Sequence, residues 1–277
     1  MKIVFLNGQF LPEAQAAVSV HDRGFLLGDG LFETIRIVRG KPFRLAQHWE
    51  RLARGAEFLK IPLPLTATEL EQFVRQLIEQ NQMADAILRL TLTRGAGGRG
   101  YTPPAGSPPT LVMALYDRPA PPPRAWHLVT ASFRVSAADP LAAFKTTSKI
   151  GHVMARAEAV GQGADDALLL NTHGEVAETA GGNLFWVEAD RPGTAPAGRG
   201  LLPGITRAVV LEICRALGRP VNERIIPPQA LAQASGLFVT QSALGIVPVA
   251  TLDGRPVEPS PLVEEIARAY AELLSRS

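Results

Sequence analysis

Phe144-Lys145-Thr146-Thr147-Ser148-Lys149-Ile150-Gly151-His152 is the stretch around which the rest of the chain can be read. It passes from apolar to polar and leads into an amphipathic helix expected from Ile150 to about Val160. The 28 basic residues of the 277-residue chain are five lysines (Lys2, Lys41, Lys60, Lys145, Lys149) and 23 arginines. A chain that writes nearly every cation as arginine keeps two lysines four residues apart in mid-sequence. Lysine can lose its proton when desolvated and attack a carbonyl, which arginine cannot. A solvated lysine at a strand end is the plainer reading of this stretch alone, and the motifs downstream decide between the two.

Hydrophobic residues make up 46% and charged residues 19%, the balance of a soluble globular protein large enough for one large or two ordinary domains. The net charge is +2 and no basic block stands out, which argues against nucleic acid and membrane surfaces as partners. The lone cysteine, Cys214, lies in the helical pattern Val209–Cys214 and reads as a buried core residue. The five histidines (His21, His48, His127, His152, His173) show no metal-binding spacing. The N-terminal apolar run is too short for a signal peptide, and no run approaches the roughly 18 residues of a spanning helix, so a cytoplasmic protein is expected.

Along the chain, residues 2–6 read as a strand closed by the turn Asn7-Gly8, with a second short strand near Ala17–Val20. Residues 21–30 read as a loop with three glycines. A strand is expected over Leu31–Val38, a hairpin turn over Arg39–Pro42, and a helix over Gln47–Leu59. Thr66 with Glu69 forms a capping box for a helix running to about Asn81. Strands follow at Ala86–Thr93 and Thr110–Tyr116. Four prolines in residues 117–124 mark a semi-rigid linker. The expected domains are 1–117 and 125–277, joined by 118–124.

The second part reads as a strand (Trp126–Ser132), the Lys145 region with its helix, and strands at Asp166–Leu170 and Asn183–Glu188. A loop (190–204) leads to a helix (Ile205–Leu217). Then come a strand (Val221–Ile226), a short helix (Pro228–Ala234), strands at Gly236–Thr240 and Ile246–Ala250, and a last helix (Pro261–Leu274). Gly95-Ala96-Gly97-Gly98-Arg99-Gly100 fits the dinucleotide fingerprint, but four prolines between Tyr101 and Pro109 preclude the helix that fingerprint needs. It reads as a glycine-rich loop carrying Arg99.

Three downstream segments share a theme. Leu201-Leu202-Pro203-Gly204-Ile205-Thr206-Arg207 feeds a helix whose first N–H groups, with the Thr206 hydroxyl, suit a phosphate. Gly174 to Trp186 sets Glu178, a carboxylate costly to bury alone, before a small-residue loop and an apolar strand. Thr240-Gln241-Ser242-Ala243 is a polar strand end suited to further phosphate contacts. A lysine, a carboxylate and a phosphate cradle are what pyridoxal phosphate requires: an amine for its aldehyde, a partner for its ring nitrogen and an anchor.

Glu178 to Trp186, Leu202 to Arg207, and Asp22-Arg23-Gly24 through Gly28-Asp29-Gly30-Leu31-Phe32-Glu33-Thr34-Ile35-Arg36 together resemble the class IV aminotransferases. These are the fold-type IV pyridoxal phosphate enzymes, and the resemblance spans nearly the whole chain. It implies an α+β fold of two domains, a small α/β domain and a larger one whose mixed sheet forms a partial barrel, as in D-amino-acid aminotransferase. It implies pyridoxal 5'-phosphate as cofactor, Lys145 as the Schiff-base lysine with Lys149 as its rival, and Glu178 as partner of the pyridine nitrogen. By the same resemblance Arg51, Ile205, Thr206, Gln241 and Ser242 bind the phosphate and Leu202 packs on the ring. Phe32, Arg36, Arg99 and Tyr101 are the implied substrate contacts. A homodimer with shared sites at the domain interface is implied as well.

Within that family, Ile150 stands where branched-chain enzymes usually carry tyrosine. The run Arg94-Gly95 through Gly98-Arg99-Gly100-Tyr101 resembles the aminodeoxychorismate lyases. The leading expectation is therefore a 4-amino-4-deoxychorismate lyase releasing pyruvate and 4-aminobenzoate. The alternative is a transaminase acting between a D-amino acid, or a branched-chain L-amino acid, and a 2-oxo acid.

Overall fold

The computed structural model describes residues 2–104 and 106–276. The chain packs as two units: residues up to Arg118 together with Phe144–Ser148, and Pro119–Ala143 together with Lys149–Arg276. The division between Arg118 and Pro119 falls inside the proline-rich stretch.

The first unit is a six-stranded antiparallel sheet carrying two long helices. Its elements are β1 (Ile3–Leu6), β2 (Gln9–Pro12), α1 (Arg23–Leu27), β3 (Gly30–Val38), β4 (Lys41–Pro42), α2 (Leu45–Leu59), α3 (Ala67–Asn81), β5 (Ala86–Thr93) and β6 (Thr110–Asp117), with strand order β2-β1-β6-β5-β3-β4. Side chains alternate across each strand. Leu31, Ile35 and Ile37 of β3, Leu88, Leu90 and Leu92 of β5, and Leu111, Met113 and Leu115 of β6 share one face. That face forms a core with Leu52 and Ala56 of α2 and Leu70, Val74 and Leu77 of α3. The capping box of α3 forms as expected: Thr66 accepts from the Glu69 amide at 3.2 Å while Glu69 accepts from the Thr66 amide at 2.7 Å.

Two local readings need correction here. No strand forms at Ala17–Val20. Asn7 and Gly8 both adopt positive φ, the two-residue turn that returns the chain at once, so the partner of β1 is β2, beginning at Gln9. The loop 21–30 contains α1, capped by Asp22, whose carboxylate accepts from the Gly24 amide. The glycine-rich run 95–100 joins antiparallel neighbours β5 and β6, so it belongs to no βαβ unit.

The second unit is built on a nine-stranded mixed sheet. Its elements are β7 (Trp126–Val135), α4 (Ile150–Gly161), β8 (Asp166–Asn171), β9 (Val176–Thr179), β10 (Asn183–Glu188), β11 (Arg191–Thr194), α5 (Ile205–Ala216), β12 (Asn222–Glu223), β13 (Leu237–Gln241), β14 (Gly245–Leu252), β15 (Arg255–Pro256) and α6 (Pro261–Arg276). The order is β12-β11-β10-β13-β14-β7-β8-β9, with β15 beside β14. β9 ends this path, yet residues 180–182 return it to β10, and the Thr179 amide donates to the Gly182 carbonyl at 2.7 Å. A sheet whose end comes back to its third strand must curl, which is the partial barrel. Trp126, Leu128, Leu168, Leu184, Trp186 and Val239 are among its core side chains. The expected loop 190–204 contains β11, and the strand expected at Val221–Ile226 shrinks to β12, which pairs only along Gly193–Thr194. Among the described residues no helix is long and apolar enough to cross a membrane.

Candidate active site

Lys145 is held by backbone hydrogen bonds along an edge of β3. The Phe32 amide donates to the Lys145 carbonyl at 2.8 Å, the Thr147 amide donates to the Gly30 carbonyl at 2.9 Å, and Leu31 bridges to Thr146. This pairing explains why Phe144–Ser148 packs with the first unit rather than with its sequence neighbours. Lys149 begins α4 as its N-cap residue and belongs to the second unit.

Even-numbered positions of β3 face away from the helices, and Phe32 is one of them. Its ring carries two cations: Lys145 Nζ lies 4.6 Å from the ring centroid and Arg89 Cζ 3.5 Å. Desolvation pulls the Arg89 pKa down from its ordinary value, but a guanidinium remains charged at neutral pH. The sequence reading missed Arg89. The available signal was its place as the one charged residue in the β5 row Ala86–Thr93.

Glu33 points the opposite way, into the helix-covered core. There α2 presents His48 and Arg51, three residues apart and so on one helix face. Arg51 donates from Nε to Glu33 Oε1 at 2.8 Å and from Nη2 to Oε2 at 2.6 Å, and His48 Nδ1 lies 2.6 Å from Oε2. Burial pushes the Glu33 carboxyl up, but the hydrogen bonds from His48 and Arg51 and the Arg51 charge outweigh it and hold the pKa at about 2. Burial lowers the His48 pKa, so the ring is neutral and donates from Nδ1.

Of the other expected substrate contacts, Arg36 is buried near Asp85, with Nη2 3.9 Å from its carboxylate. Arg99 and Tyr101 are exposed, and the Tyr101 carbonyl accepts from Arg23 Nη2 at 3.2 Å.

In the second unit Glu178 lies on β9 and is buried. His152 Nε2 on α4 lies 3.0 Å from its Oε1. The Leu202 amide donates to its Oε2 at 3.0 Å, and Asn183 Nδ2 lies 3.4 Å from Oε2. Asn183 also donates to the Leu202 carbonyl at 2.8 Å, tying β10 to the loop before α5. The sequence reading gave His152 and Asn183 no such part.

Helix α5 starts at Gly204 with no side-chain cap, so its first-turn amides around Ile205 and Thr206 face outward as donors. Gly204 is required there, because a Cβ would come within 2.2 Å of Asn183 Oδ1. Gln241 ends β13 and Ser242 follows it. Just before them the buried Thr240 hydroxyl finds no hydrogen-bond partner among the described residues. An uncapped helix start, a nearby run of amide and hydroxyl groups and an orphaned hydroxyl fit an anionic phosphate. A buried carboxylate whose partners among the described residues are two amides and an imidazole fits a protonated ring nitrogen.

The sequence pattern of the amino-transferase class IV family matches residues 30–252. The chain belongs to the class IV aminotransferase family. It is 36% identical to a putative branched-chain-amino-acid aminotransferase of Methanocaldococcus jannaschii, over 97% of this chain and 94% of that protein. It is 31% identical to the D-alanine aminotransferase of Staphylococcus aureus, over 93% and 91%. Among solved structures, the branched-chain amino acid aminotransferase of Escherichia coli superposes with a TM-score of 0.95 at 27% identity, covering 99% of this chain and 95% of that one. A putative 4-amino-4-deoxychorismate lyase from Legionella pneumophila superposes at 0.89 with 29% identity, covering 94% and 96%. A class IV aminotransferase takes pyridoxal 5'-phosphate as cofactor, and the groups just described are the donors and acceptors that molecule needs.

Proposed function

We propose that the protein is a transaminase that moves the amino group of a small amino acid to a 2-oxo acid. The observation that carries this reading is the pair of cations on the Phe32 ring. Arg89 supplies a guanidinium for a substrate carboxylate on the same ring as Lys145, the amine assigned to proton transfer at the α-carbon. This differs from the lyase expectation, and the two named relatives at 31% and 36% identity, both aminotransferases, support the change.

Bound pyridoxal phosphate supplies the electron sink that makes the α-proton acidic. Lys145 would hold that cofactor through its aldehyde, and Lys145 Nζ would be the group that carries a proton from and to the substrate α-carbon. Glu178 would accept a hydrogen bond from the ring N–H and favour its protonated form. Amides of Ile205 and Thr206, the Thr206 hydroxyl, Gln241 and Ser242 of the second unit would hold the phosphate; Arg51, the further phosphate contact expected from the sequence, is oriented by Glu33 in the first unit. Leu202 packs on the ring. Arg99 and Tyr101 sit on a loop that borders the substrate.

The specific observation favouring the lyase is the loop sequence Gly98-Arg99-Gly100-Tyr101 together with the likeness to the Legionella protein. One experiment separates the two. The visible band of the lysine-bound cofactor is followed as D-alanine, L-leucine or L-glutamate is added. Bleaching by one donor supports the transaminase and gives its handedness. A band that persists with every donor, with pyruvate released from 4-amino-4-deoxychorismate, overturns it in favour of the lyase. Lys145→Ala abolishes both the band and activity. Arg89→Leu raises KM for the amino acid by roughly 10- to 100-fold, the worth of a charge-assisted hydrogen bond, whereas Arg36→Leu does not.

We also infer a homodimer. Ile150, Val153, Met154 and Val160 make an exposed apolar stripe on α4, opposite its buried Ala155 and Ala159. Size-exclusion chromatography with light scattering reads the assembly, and Val153→Glu shifts it toward monomer.

A further inference from the structure

We propose that His152 is a positioning residue that aims the Glu178 carboxylate at the cofactor's ring nitrogen. This rests on the reading of Glu178 given above. The three contacts to that carboxylate divide unevenly. Asn183 and the Leu202 amide both reach Oε2, and His152 is the contact to Oε1 among the described residues. An ionised carboxylate only accepts hydrogen bonds, so His152 Nε2 carries the proton. Two donors on one oxygen leave the carboxyl plane free to turn about the bond to Cγ. A third donor on the other oxygen fixes that plane.

The choice of imidazole matters as much as its place. Arginine or lysine here would neutralise Glu178, as Arg51 does Glu33, and leave no charge to favour a pyridinium. An imidazole supplies a directed hydrogen without an obligatory full charge. Helix α4 provides the rigid base: His152 sits in its first turn, and Ala155 and Ala159 bury the helix against Ala167 and Leu169 of β8. β8 in turn pairs with β9 through Leu169 and Glu178. His152 is therefore anchored to the strand that carries its partner. A buried carboxylate merely satisfied by a nearby polar group would have the same distance but no effect specific to the ring nitrogen.

The test measures binding of two cofactors to the apoprotein by fluorescence quenching: pyridoxal phosphate and its 1-deaza analogue, in which C–H replaces the ring nitrogen. Wild type is expected to prefer pyridoxal phosphate. His152→Leu is expected to weaken pyridoxal phosphate by about tenfold while leaving the analogue nearly unchanged. His152→Ser, too short to reach Oε1, gives the same result. His152→Gln, whose amide can donate to Oε1, restores the preference. Equal weakening of both cofactors by His152→Leu and His152→Ser, or no weakening of either, overturns the inference. If Glu178→Gln removes the preference while both His152 variants keep it, the inference fails alone. If Glu178→Gln also leaves the preference intact, the reading of Glu178 fails and the inference falls with it.

Discussion

Glu33 on β3 gives both carboxylate oxygens to Arg51, with His48 beside it, whereas Glu178 on β9 takes its hydrogen bonds from a backbone amide, a side-chain amide and an imidazole. Both glutamates are buried and both sit on strands. The first is neutralised by a guanidinium and belongs to the scaffold, where it orients Arg51 from within the core. The second has no guanidinium or ammonium partner among the described residues, an arrangement that suits a cationic ligand. Burial and hydrogen bonding alone do not mark a functional carboxylate. A guanidinium partner is what distinguishes Glu33 from Glu178.

That contrast can be broken most severely at Glu33. Removing one member of a buried pair strands the other, so Glu33→Ala is expected to cost about 3–5 kcal/mol of stability in urea unfolding of the apoprotein. A loss under about 1 kcal/mol would mean that the Arg51 pair is not structural.

Acid should act on the same group. Its folded pKa of about 2 lies below the ordinary 4.5, so the stability it contributes is complete above pH 4.5 and is lost as pH falls toward 2. The shift corresponds to roughly 3 kcal/mol. His48 adds in the same direction at higher pH. Its folded pKa is depressed, so below its ordinary 6.5 the unfolded chain binds a proton that the fold refuses. Urea titrations across pH 7 to 3 should show stability falling throughout, and Glu33→Gln should flatten the lower part.

Thr66→Ala, which removes the α3 cap in the first unit without touching either carboxylate, should cost only about 1 kcal/mol. It calibrates the scale for that unit. The smallest effect belongs to Glu178→Gln, which keeps an acceptor for its neighbours. It should change apoprotein stability by less than about 1 kcal/mol while weakening pyridoxal phosphate. A Glu178→Gln loss as large as that of Glu33→Ala would erase the distinction.

Much of this was legible in one dimension. The period-2 rows of β3, β5 and β6, the capping box at Thr66 and the period-3.6 face of α2 are local patterns. A strand, a cap or a helix face is set by residues within a few positions of one another, so sequence reading can find them. The same locality explains the misses. A strand placed at Ala17–Val20 overlooked that a two-residue turn must return immediately, so the pair of β1 lies at Gln9–Pro12. β9 and β11 went unrecognised because their four-residue runs owe their pairing to distant neighbours: Leu168 and Leu169 for β9, and Phe185 and Trp186 for β11.

The sequence by itself determined the family, and it pointed to Lys145, Glu178 and the start of α5 as the places to look for chemistry, because these lie in short runs whose residue types suggest it. Only the tertiary structure decided who stands beside them. Arg89 reaches the Phe32 ring across two paired strands, His48 and Arg51 meet Glu33 from a helix packed on its sheet, and His152 meets Glu178 from 26 residues away. Hydrogen bonds and charges act through a few ångströms of space, and which side chains come within that range is set by packing rather than by distance along the chain.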